Sequence, residues 1–385
     1  MSRRFLTLAV LAGTLALVPR LPGAEYWMFV GTYTSGPSSA SKGIYAWRFD
    51  AATGKFTDQG LVAETPNPSF LAAHPNGKFL YAVNEISHFQ RMASTGSVTA
   101  FAIDPASAKL TLLNAQGSLG DGPCHLALDR QGTCLIAANY NSGSIAAFPV
   151  GSNGLLNQST AFFQHRGSGP VRDRQQTPHA HCIAISPDER FALVADLGLD
   201  EVLSYRFDPA KAAMNVNDPP FLKLEPGSGP RHLAFHPNAR FLYVINELNS
   251  TIDALAYDAQ NGSMRELQSI STLPKDYTGH NDTAEIQVHP SGKFLYGSNR
   301  GHDSIAVFMI DRKAGTLTPV EYVPTQGKTP RNFTLDPTGT YLLAANEKSN
   351  NIVVFKIDRS TGRLTATGQV LNAPSPVCLT FVPVK

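Results

Sequence analysis

Two stretches near the C-terminus decide the fold: SIAVFMIDRKAGTLT, from Ser304 to Thr318, and NIVVFKIDRSTGRLT, from Asn351 to Thr365. Each begins with a short apolar strand that has Ile near its start, and each continues into a turn. The same unit occurs seven times in the 385 residues, at Ile44–Phe56, Val98–Leu110, Ile145–Leu155, Val202–Met214, Ile252–Met264, Ile305–Leu317 and Ile352–Leu364. A repeat of roughly 50 residues built from short strands is typical of a β-propeller. We therefore predict an all-β chain folded as a seven-bladed β-propeller.

One unit shows how a blade is built. Pro230-Arg231-His232 opens a first strand, LAFHP, and the second strand is FLYVINE, which ends at Glu247. The third strand is TIDALAYD, and the turn Asn261-Gly262 then leads to an outer strand. Asn-Gly is a strong signal for a tight hairpin turn. Four antiparallel strands in each unit fit a propeller blade.

The two ends of the chain complete one blade. The last first strand, SPVCLTF, begins at Ser375, and no second strand follows it. The missing strand matches WMFVGTYT, Trp27 to Thr34, near the N-terminus. We predict that these segments pair and close the ring, which removes an exposed sheet edge.

The N-terminal residues have the pattern of a secretory signal peptide. Arg3 and Arg4 precede the apolar run Phe5–Val18, and small residues lead to Ala24. We predict a signal peptide at 1–24, cleaved after Ala24, and one propeller domain at 25–385 in the periplasm or outside the cell. An uncleaved N-terminal anchor is the alternative. No other segment is long and apolar enough to span a membrane.

Composition excludes some partners and favours others. The net charge is only +2, so overall electrostatics give no case for nucleic-acid binding. We expect a monomer that takes a small-molecule substrate. The four cysteines, Cys124, Cys134, Cys182 and Cys378, fall at positions in the repeat that do not face one another. We expect buried free thiols.

The start of each first strand and the end of each second strand meet at one face of the ring, the channel mouth. The repeat therefore places three rings of residues there. The Arg231 ring is Ser69, Cys124, His181, Arg231, Ala284, Arg331 and Val377; the next is Phe70, His125, Cys182, His232, Glu285, Asn332 and Cys378; the Glu247 ring is Tyr33, Glu85, Tyr140, Leu197, Glu247, Arg300 and Glu347. A fourth position is uniform, and we interpret its residues as turn formers that bond their own backbone: Asn84, Asn139, Asp196, Asn246, Asn299 and Asn346.

The three variable rings bring many ionisable residues to one mouth, namely Arg231, Arg300, Arg331, His125, His181, His232, Glu85, Glu247, Glu285 and Glu347. Salt bridges between blades are one explanation, because unpaired buried charge is costly. A site for an anionic, oxygen-rich small molecule is the other, since arginine matches carboxylate or phosphate geometry. A Glu or His between arginines can act as a general base or acid. We predict no metal and no other cofactor.

A long insertion points to the same mouth. RGSGPVRDRQQTPHAH, from Arg166 to His181, precedes the third first strand and carries Arg172, Arg174 and His179. Its position predicts a loop or lid over the mouth.

Seven short motifs occur in order along the chain: Phe29–Tyr33, Arg174-Gln175, Pro178–His181, Gly229–Leu233, Asn246-Glu247, Ala284–Ile286 and Ser298–Gly301. Together they resemble the seven-bladed β-propeller lactonase family, which includes propeller-type bacterial 6-phosphogluconolactonases and fungal carboxy-muconate cyclases. The resemblance covers essentially the whole chain after Ala24. It implies a catalytic set of His181, Arg231, Glu247 and Arg300. We expect substrate contacts from His179, Arg174, His232, Glu285, Arg331 and Glu347.

The resemblance implies hydrolysis of a sugar-acid lactone of the 6-phosphogluconolactone type. Glu247 or His181 would activate water, and Arg231 and Arg300 would bind the substrate and polarise the lactone carbonyl. 6-Phosphogluconolactone arises in the cytoplasm, so predicted export makes an unphosphorylated aldonolactone a serious possibility. Two other functions remain open: a muconate-type lactonising cyclase, and a non-catalytic binding or scaffold propeller.

Overall fold

The computed structural model describes residues 25–36 and 39–384. Its strands form seven four-stranded antiparallel sheets. We number the blades by the order in which their first, channel-lining strands occur in the sequence. The predicted signal peptide, 1–24, lies outside the described residues.

The N-terminal three strands belong to blade 7, and blades 1 to 3 follow. The strands are β1 (Glu25–Thr32), β2 (Gly43–Asp50) and β3 (Lys55–Glu64) in blade 7; β4 (Leu71–Ala73), β5 (Phe79–Asn84), the small hairpin of β6 (His88–Phe89) and β7 (Met92–Ala93), β8 (Ser97–Ile103) and β9 (Leu110–Gly117) in blade 1; β10 (Pro123–Leu128), β11 (Cys134–Asn139), β12 (Ser144–Pro149) and β13 (Ala161–Gln164) in blade 2; and β14 (Ala180–Ile185), β15 (Phe191–Asp196), β16 (Glu201–Asp208) and β17 (Ala213–Lys223) in blade 3. A single 3₁₀ turn, Pro209–Lys211, joins the last two of these.

Blades 4 to 6 repeat the same order, and the last strand returns to blade 7. The strands are β18 (Pro230–Phe235), β19 (Phe241–Asn246), β20 (Thr251–Asp258) and β21 (Ser263–Ser271) in blade 4; β22 (Asp282–Val288), β23 (Phe294–Arg300), β24 (Ser304–Ile310) and β25 (Leu317–Pro324) in blade 5; β26 (Pro330–Leu335), β27 (Tyr341–Asn346), β28 (Asn351–Ile357) and β29 (Leu364–Asn372) in blade 6; and β30 (Pro376–Pro383).

Ring closure occurs as the sequence predicts. β1 pairs antiparallel with β30 on one side and with β2 on the other, and Val30 lies opposite Leu379. The sheet order in blade 7 is β3-β2-β1-β30. The seven-bladed, all-β prediction is therefore confirmed, including the strand exchange between the two ends.

The core lies between blades. Each of seven clusters of buried side chains combines residues of two neighbouring blades. The second strand of blade 4, FLYVIN in β19, is buried along its whole length, which explains its apolar run from Phe241 to Ile245. The buried Tyr243 hydroxyl donates to the Gly315 carbonyl of the next blade at 3.0 Å. Gly315 has φ +79°, and a Cβ there would lie 2.4 Å from the Phe241 ring, so only glycine suits this turn.

At four of the six uniform positions the Asn side chain joins blades, which differs from our interpretation of local turn formers. Asp196 fits that interpretation, since it accepts from the backbone N–H of Gly198 at 3.0 Å. Asn299 Nδ2 donates to the Thr272 carbonyl at 2.8 Å, and Asn346 Nδ2 donates to the Thr325 carbonyl at 3.2 Å. Both carbonyls follow the outer strand of the preceding blade. These amides hold the connections between blades, and a repeat alignment does not show which backbone group each one reaches.

Two further findings concern the described residues. The four cysteines are buried and free, as expected. The structure has no helix within residues 25–36 and 39–384 that is long and apolar enough to cross a membrane.

Candidate active site

A β-bulge sits at the mouth end of the first strand in six blades. The register between first and second strands shifts there, and the extra residues are Cys124, His181, Arg231, Ala284, Arg331 and Val377. Consecutive strand residues normally point to opposite faces, and a bulge re-aims one of them. Arg231 and His232 therefore line the same channel void. The bulge explains why two adjacent rings both supply site residues.

Three guanidinium groups converge on Glu247, which follows β19 and is only 5% exposed. Its Oε2 accepts from Arg231 Nε at 2.9 Å and lies 2.8 Å from Arg300 Nη2, and its Oε1 accepts from Arg174. Burial alone would raise the pKa of Glu247, but Arg300, Arg231 and Arg174 hold this pKa well below its ordinary value. Glu247 is therefore a fixed anion that orients three arginines.

The insertion before blade 3 reaches the mouth through Arg174. The adjacent Gln175 is fully buried, and its amide donates to the Leu197 carbonyl at 2.8 Å and to Asp200 at 2.7 Å. Asp200 also accepts from the backbone N–H of Gly229, two residues before Arg231, at 2.8 Å. The loop is thus anchored to the segment that carries a second arginine of the site.

Three imidazoles, of His125, His181 and His232, pack against one another below the mouth. The His232 ring centroid lies 5.2 Å from that of His181 and 5.3 Å from that of His125. Burial lowers the pKa of His181 well below its ordinary value, and Arg231 and His232 lower it further. Among the described residues, Nδ1 of His181 is a buried atom with no hydrogen-bond partner. His181 is therefore a neutral imidazole at the cavity wall.

Glu285 lies beside these imidazoles at the floor of the channel. Its Oε2 accepts from Asn332 Nδ2 at 2.5 Å and lies 3.3 Å from His232 Nδ1. Burial raises the pKa of Glu285 to about 7, although Arg231 opposes this shift. Glu285 is thus a buried carboxyl group that can hold a proton near neutral pH.

The opposite wall of the mouth contains a third carboxylate, Glu85. Tyr33 donates its hydroxyl to Glu85 at 3.0 Å, and Ser69 donates to the same oxygen at 2.5 Å. Arg331 Nη2 donates to the Tyr33 hydroxyl at 2.9 Å, and its guanidinium lies over the Tyr33 ring. Burial raises the pKa of Tyr33, so this hydroxyl remains protonated.

These groups surround a cavity of about 350 Å³, lined by Glu85, Cys124, Tyr140, Asn141, Arg174, His181, Glu247, Asp282, Arg300 and Arg331. Pockets of this size hold small-molecule ligands. Three arginines in the lining are matched by three carboxylates. The cavity is therefore strongly polar but close to balanced in charge.

The family of the chain follows from sequence comparison. A family model described as "Lactonase, 7-bladed beta-propeller" matches residues 27–381. The chain belongs to this lactonase family. The predicted resemblance and the prediction of a lactonase are thereby confirmed.

Relatives and solved structures agree with the family. A 6-phosphogluconolactonase of Bacillus subtilis (strain 168) is 37% identical over 312 residues, which cover 81% of this chain and 85% of the relative. A periplasmic gluconolactonase of Pseudomonas aeruginosa, solved as a structure, is 34% identical with a TM-score of 0.87 and covers 94% of this lactonase and 100% of its own chain. A structure of a putative 6-phosphogluconolactonase of Bacteroides fragilis is 39% identical with a TM-score of 0.86, over 94% and 99% of the two chains.

The structure brings most of the expected site residues of this lactonase together. His181, Glu247, Arg300, Arg174 and Arg331 line the mouth cavity. Arg231 lies beneath them, in a smaller void that it shares with His232.

Other expected residues lie outside the mouth cavity. Glu285 lies beside His232 and lines neither the mouth cavity nor the smaller void, and Glu347 lines an adjoining groove. His179 stacks on Tyr140 with ring centroids 4.5 Å apart, and its Nδ1 contacts the Tyr140 carbonyl at 2.8 Å. His179 thus packs against Tyr140, which lines the mouth cavity.

Sequence reasoning missed Asp282 as a member of the site. Its Oδ1 lies 3.7 Å from Arg174 Nη1, and it lines the cavity. The one available signal was its position directly before Thr283-Ala284-Glu285, at the mouth end of a first strand. Within the described residues, no group of three His, Cys, Asp or Glu side chains is arranged to hold a metal ion.

Proposed function

We propose that this lactonase hydrolyses an unphosphorylated sugar-acid lactone at the channel mouth, with His181 as the general base. The observation that carries the proposal is the pairing of Arg174, Arg231 and Arg300 with Glu247, beside the neutral imidazole of His181. Lactone hydrolysis is the activity for which the B. subtilis and P. aeruginosa relatives are named.

The choice of base follows from the two environments. Both oxygens of Glu247 are engaged by guanidinium groups, so neither is free to accept a proton from water. His181 lines the cavity as a neutral imidazole. It is therefore the group that can take a proton from an attacking water molecule.

In the proposed reaction, His181 first accepts a proton and later donates it. Water attacks the lactone carbonyl carbon while His181 accepts its proton, and the carbonyl oxygen becomes an oxyanion. Arg300 lines the cavity wall, and its charge stabilises this oxyanion. The tetrahedral intermediate collapses as the ring C–O bond breaks. His181 returns the proton to the leaving ring oxygen, and the product is a hydroxy acid.

Charge balance supports an unphosphorylated substrate. Arg174 and Arg300 are paired with Glu247, and Arg331 is bonded to Tyr33 beside Glu85. A phosphate would have to compete with these carboxylates for the arginines. The same pairing disfavours the muconate-type cyclase, whose substrate carries several carboxylates. Hydroxyl groups of a sugar ring can donate to the carboxylates and accept from the arginines without displacing either.

Export is part of the proposal. The pattern at 1–24 favours a cleaved signal peptide, and the P. aeruginosa relative is titled a periplasmic gluconolactonase. An exported enzyme meets lactones made by oxidation of free sugars rather than cytoplasmic phosphate esters.

The test is proton release by the chain beginning at Glu25, over gluconolactone, 6-phosphogluconolactone and a muconolactone, corrected for spontaneous hydrolysis. We expect kcat/KM for gluconolactone to exceed that for the phosphorylated lactone by about tenfold or more, because an unneutralised phosphate would be buried against carboxylates. His181→Gln should lower kcat about 100-fold or more.

The matched control is His236→Gln. His236 is another buried histidine, and its Nε2 contacts the Gly292 carbonyl at 2.9 Å at the other end of a first strand. It should leave kcat nearly unchanged. Preference for the phosphorylated lactone would contradict the substrate assignment, and an active His181→Gln enzyme would contradict the assigned base.

A further inference from the structure

A second cavity, of about 540 Å³, adjoins the mouth above blades 5 and 6. We call it the distal groove. Its outer walls are formed by Asp303, Lys328, Thr329, Glu347 and Lys348. None of these side chains lines the mouth cavity, so the groove extends the binding surface rather than repeating it.

The distal groove and the mouth form one elongated depression. Asp282, Arg300 and Arg331 line both cavities and therefore stand between them. The loop backbone that forms this border is closely packed. Gly301 has φ +137°, and a Cβ there would lie 2.2 Å from the His280 carbonyl oxygen. The groove is therefore a defined part of the fold, continuous with the site where the lactone ring is held.

The groove contains cations and carboxylates in nearly equal number. Lys328 Nζ lies 2.9 Å from Asp303, and His280 Nε2 lies 3.3 Å from Asp282. Asp303 also accepts from the backbone N–H of Thr329 at 2.8 Å. Lys348 is exposed, and the half-buried Glu347 is next to it in sequence. The groove therefore offers both hydrogen-bond donors and acceptors to a ligand.

We propose that the distal groove binds a second sugar residue, so that the preferred substrate is a two-ring lactone, an aldobionolactone, rather than a single-ring one. This inference rests on the proposed function, because the mouth must hold the lactone ring. The glycosidically linked sugar then extends past Asp282 and Arg331 into the groove. Its hydroxyls donate to Asp303 and Glu347 and accept from Lys328 and Lys348. A mixture of donors and acceptors suits a neutral polyhydroxylated ligand, since each hydroxyl can donate and accept.

The experiment compares kcat/KM for gluconolactone, for a glucosyl-gluconolactone (cellobionolactone) and for 6-phosphogluconolactone. The variant is Lys328→Ala/Lys348→Ala in the chain beginning at Glu25. Both lysines are exposed and neither lines the mouth cavity, so folding should be unaffected. The control is Lys293→Ala/Lys356→Ala, which removes two exposed lysines that lie outside the groove.

We expect the wild-type enzyme to favour the two-ring lactone over gluconolactone by about tenfold, as two or three additional hydrogen bonds would give. The groove variant should lose most of this advantage and keep its rate on gluconolactone within about twofold. The control variant should match the wild type on all three substrates.

Three outcomes would overturn the inference. Equal kcat/KM of the wild type for one-ring and two-ring lactones would show that the groove contributes nothing. A groove variant that loses only the phosphorylated lactone would show an anion site. If no lactone is hydrolysed, the proposed function fails. The groove assignment is then tested separately by calorimetric binding of lactobionate, a two-ring sugar acid, and gluconate, a one-ring sugar acid. Equal binding of these two sugar acids would then overturn the groove assignment, whereas tighter lactobionate binding that the groove variant loses would support it.

Discussion

Glu247 at the mouth and Glu285 at the channel floor are two buried carboxyl groups on neighbouring blades with opposite properties. Their exposed fractions are nearly equal, 5% and 6%. Three arginines hold the pKa of Glu247 far below its usual range, whereas burial raises the pKa of Glu285 to about 7. The difference shows that in this channel the partners of a carboxyl group, and not its depth, set its charge.

The two environments imply a division of roles. Glu247 remains an anion and keeps Arg174, Arg231 and Arg300 in place. Glu285 contacts an amide and an imidazole and can carry a proton. Carboxyl groups whose pKa values are pushed apart in this way are a recurrent feature of enzyme sites. Four substitutions test this division of roles.

The largest effect is expected for Glu247→Gln, which removes the anion and leaves three guanidinium groups facing one another. We expect kcat/KM to fall about 100-fold or more because the arginines lose their orientation. The free energy of unfolding should fall by about 3 kcal/mol or more, because buried charges lose their partner. Initial rates on gluconolactone and urea unfolding at pH 7 measure the two effects.

Glu321→Gln is the control for this substitution. Glu321 pairs with Arg363 at 2.8 Å on the surface, where the Arg363 side chain is 56% exposed. Its loss should cost less than about 1 kcal/mol and leave the rate unchanged. A Glu247→Gln enzyme with wild-type kcat/KM would remove the basis for treating this carboxylate as the organiser of the site.

The next effect is a pH-dependent gain in stability in Glu285→Gln. The pKa of Glu285 is raised in the folded chain, so the stability that its protonated form provides is full below pH 4.5 and is lost as pH rises through 7. Glutamine stays neutral and avoids this loss. We expect near-equal stability at pH 5 and a more stable variant at pH 8.5, by about 3 kcal/mol.

Urea unfolding of both proteins between pH 5 and 8.5 measures this difference directly. Glutamine keeps an oxygen for the Asn332 amide, so the packing of the floor is preserved. A stability difference that stays constant across this range would mean that Glu285 does not titrate there. The contrast with Glu247 would then be wrong.

A moderate effect is expected for Arg174→Ala on the loop over the mouth. Arg174 is one of three cations on Glu247 and also faces Asp282. Its loss leaves the other two arginines in place, so kcat/KM should fall about tenfold, chiefly through KM. Arg172→Ala, an exposed position two residues earlier, should stay within twofold. Equal effects of the two would indicate that the loop, and not the Arg174 charge, matters.

The fold could be predicted almost completely because each blade is a local unit. The seven copies gave the strand order, and the unpaired strands at the two ends gave the closure seen between β1 and β30. The β6–β7 hairpin and the 3₁₀ turn at Pro209–Lys211 were not predicted, because they are insertions without counterparts in other copies. A repeat alignment carries no information on what occurs once.

The site was predicted as a set of positions but not as a set of contacts. Alignment placed Arg231, Glu247 and Arg300 at the mouth, since these positions vary where a structural repeat would be uniform. It could not show that one carboxylate binds three arginines, one of which lies 73 residues away in sequence. Nor could it show the β-bulges, which point adjacent side chains such as those of Arg231 and His232 into the same channel. Both depend on side-chain geometry between blades, which strand periodicity does not specify.

The smallest effect is expected for Tyr33→Phe, which tests the third carboxylate of the mouth. Glu85 is held by hydroxyl groups and Glu247 by guanidinium groups, and Phe removes the hydroxyl that joins Glu85 to Arg331. Ser69 still donates to Glu85, so we expect kcat/KM to fall only about threefold and stability by about 1 kcal/mol. Tyr296→Phe loses a comparable buried bond, to the Gly362 carbonyl at 2.9 Å between blades 5 and 6, and should cost similar stability without changing the rate. If Tyr33→Phe instead reduced the rate as much as Glu247→Gln, the reaction would centre on the Glu85 wall, and the arginine-bound carboxylate would be a structural ion pair.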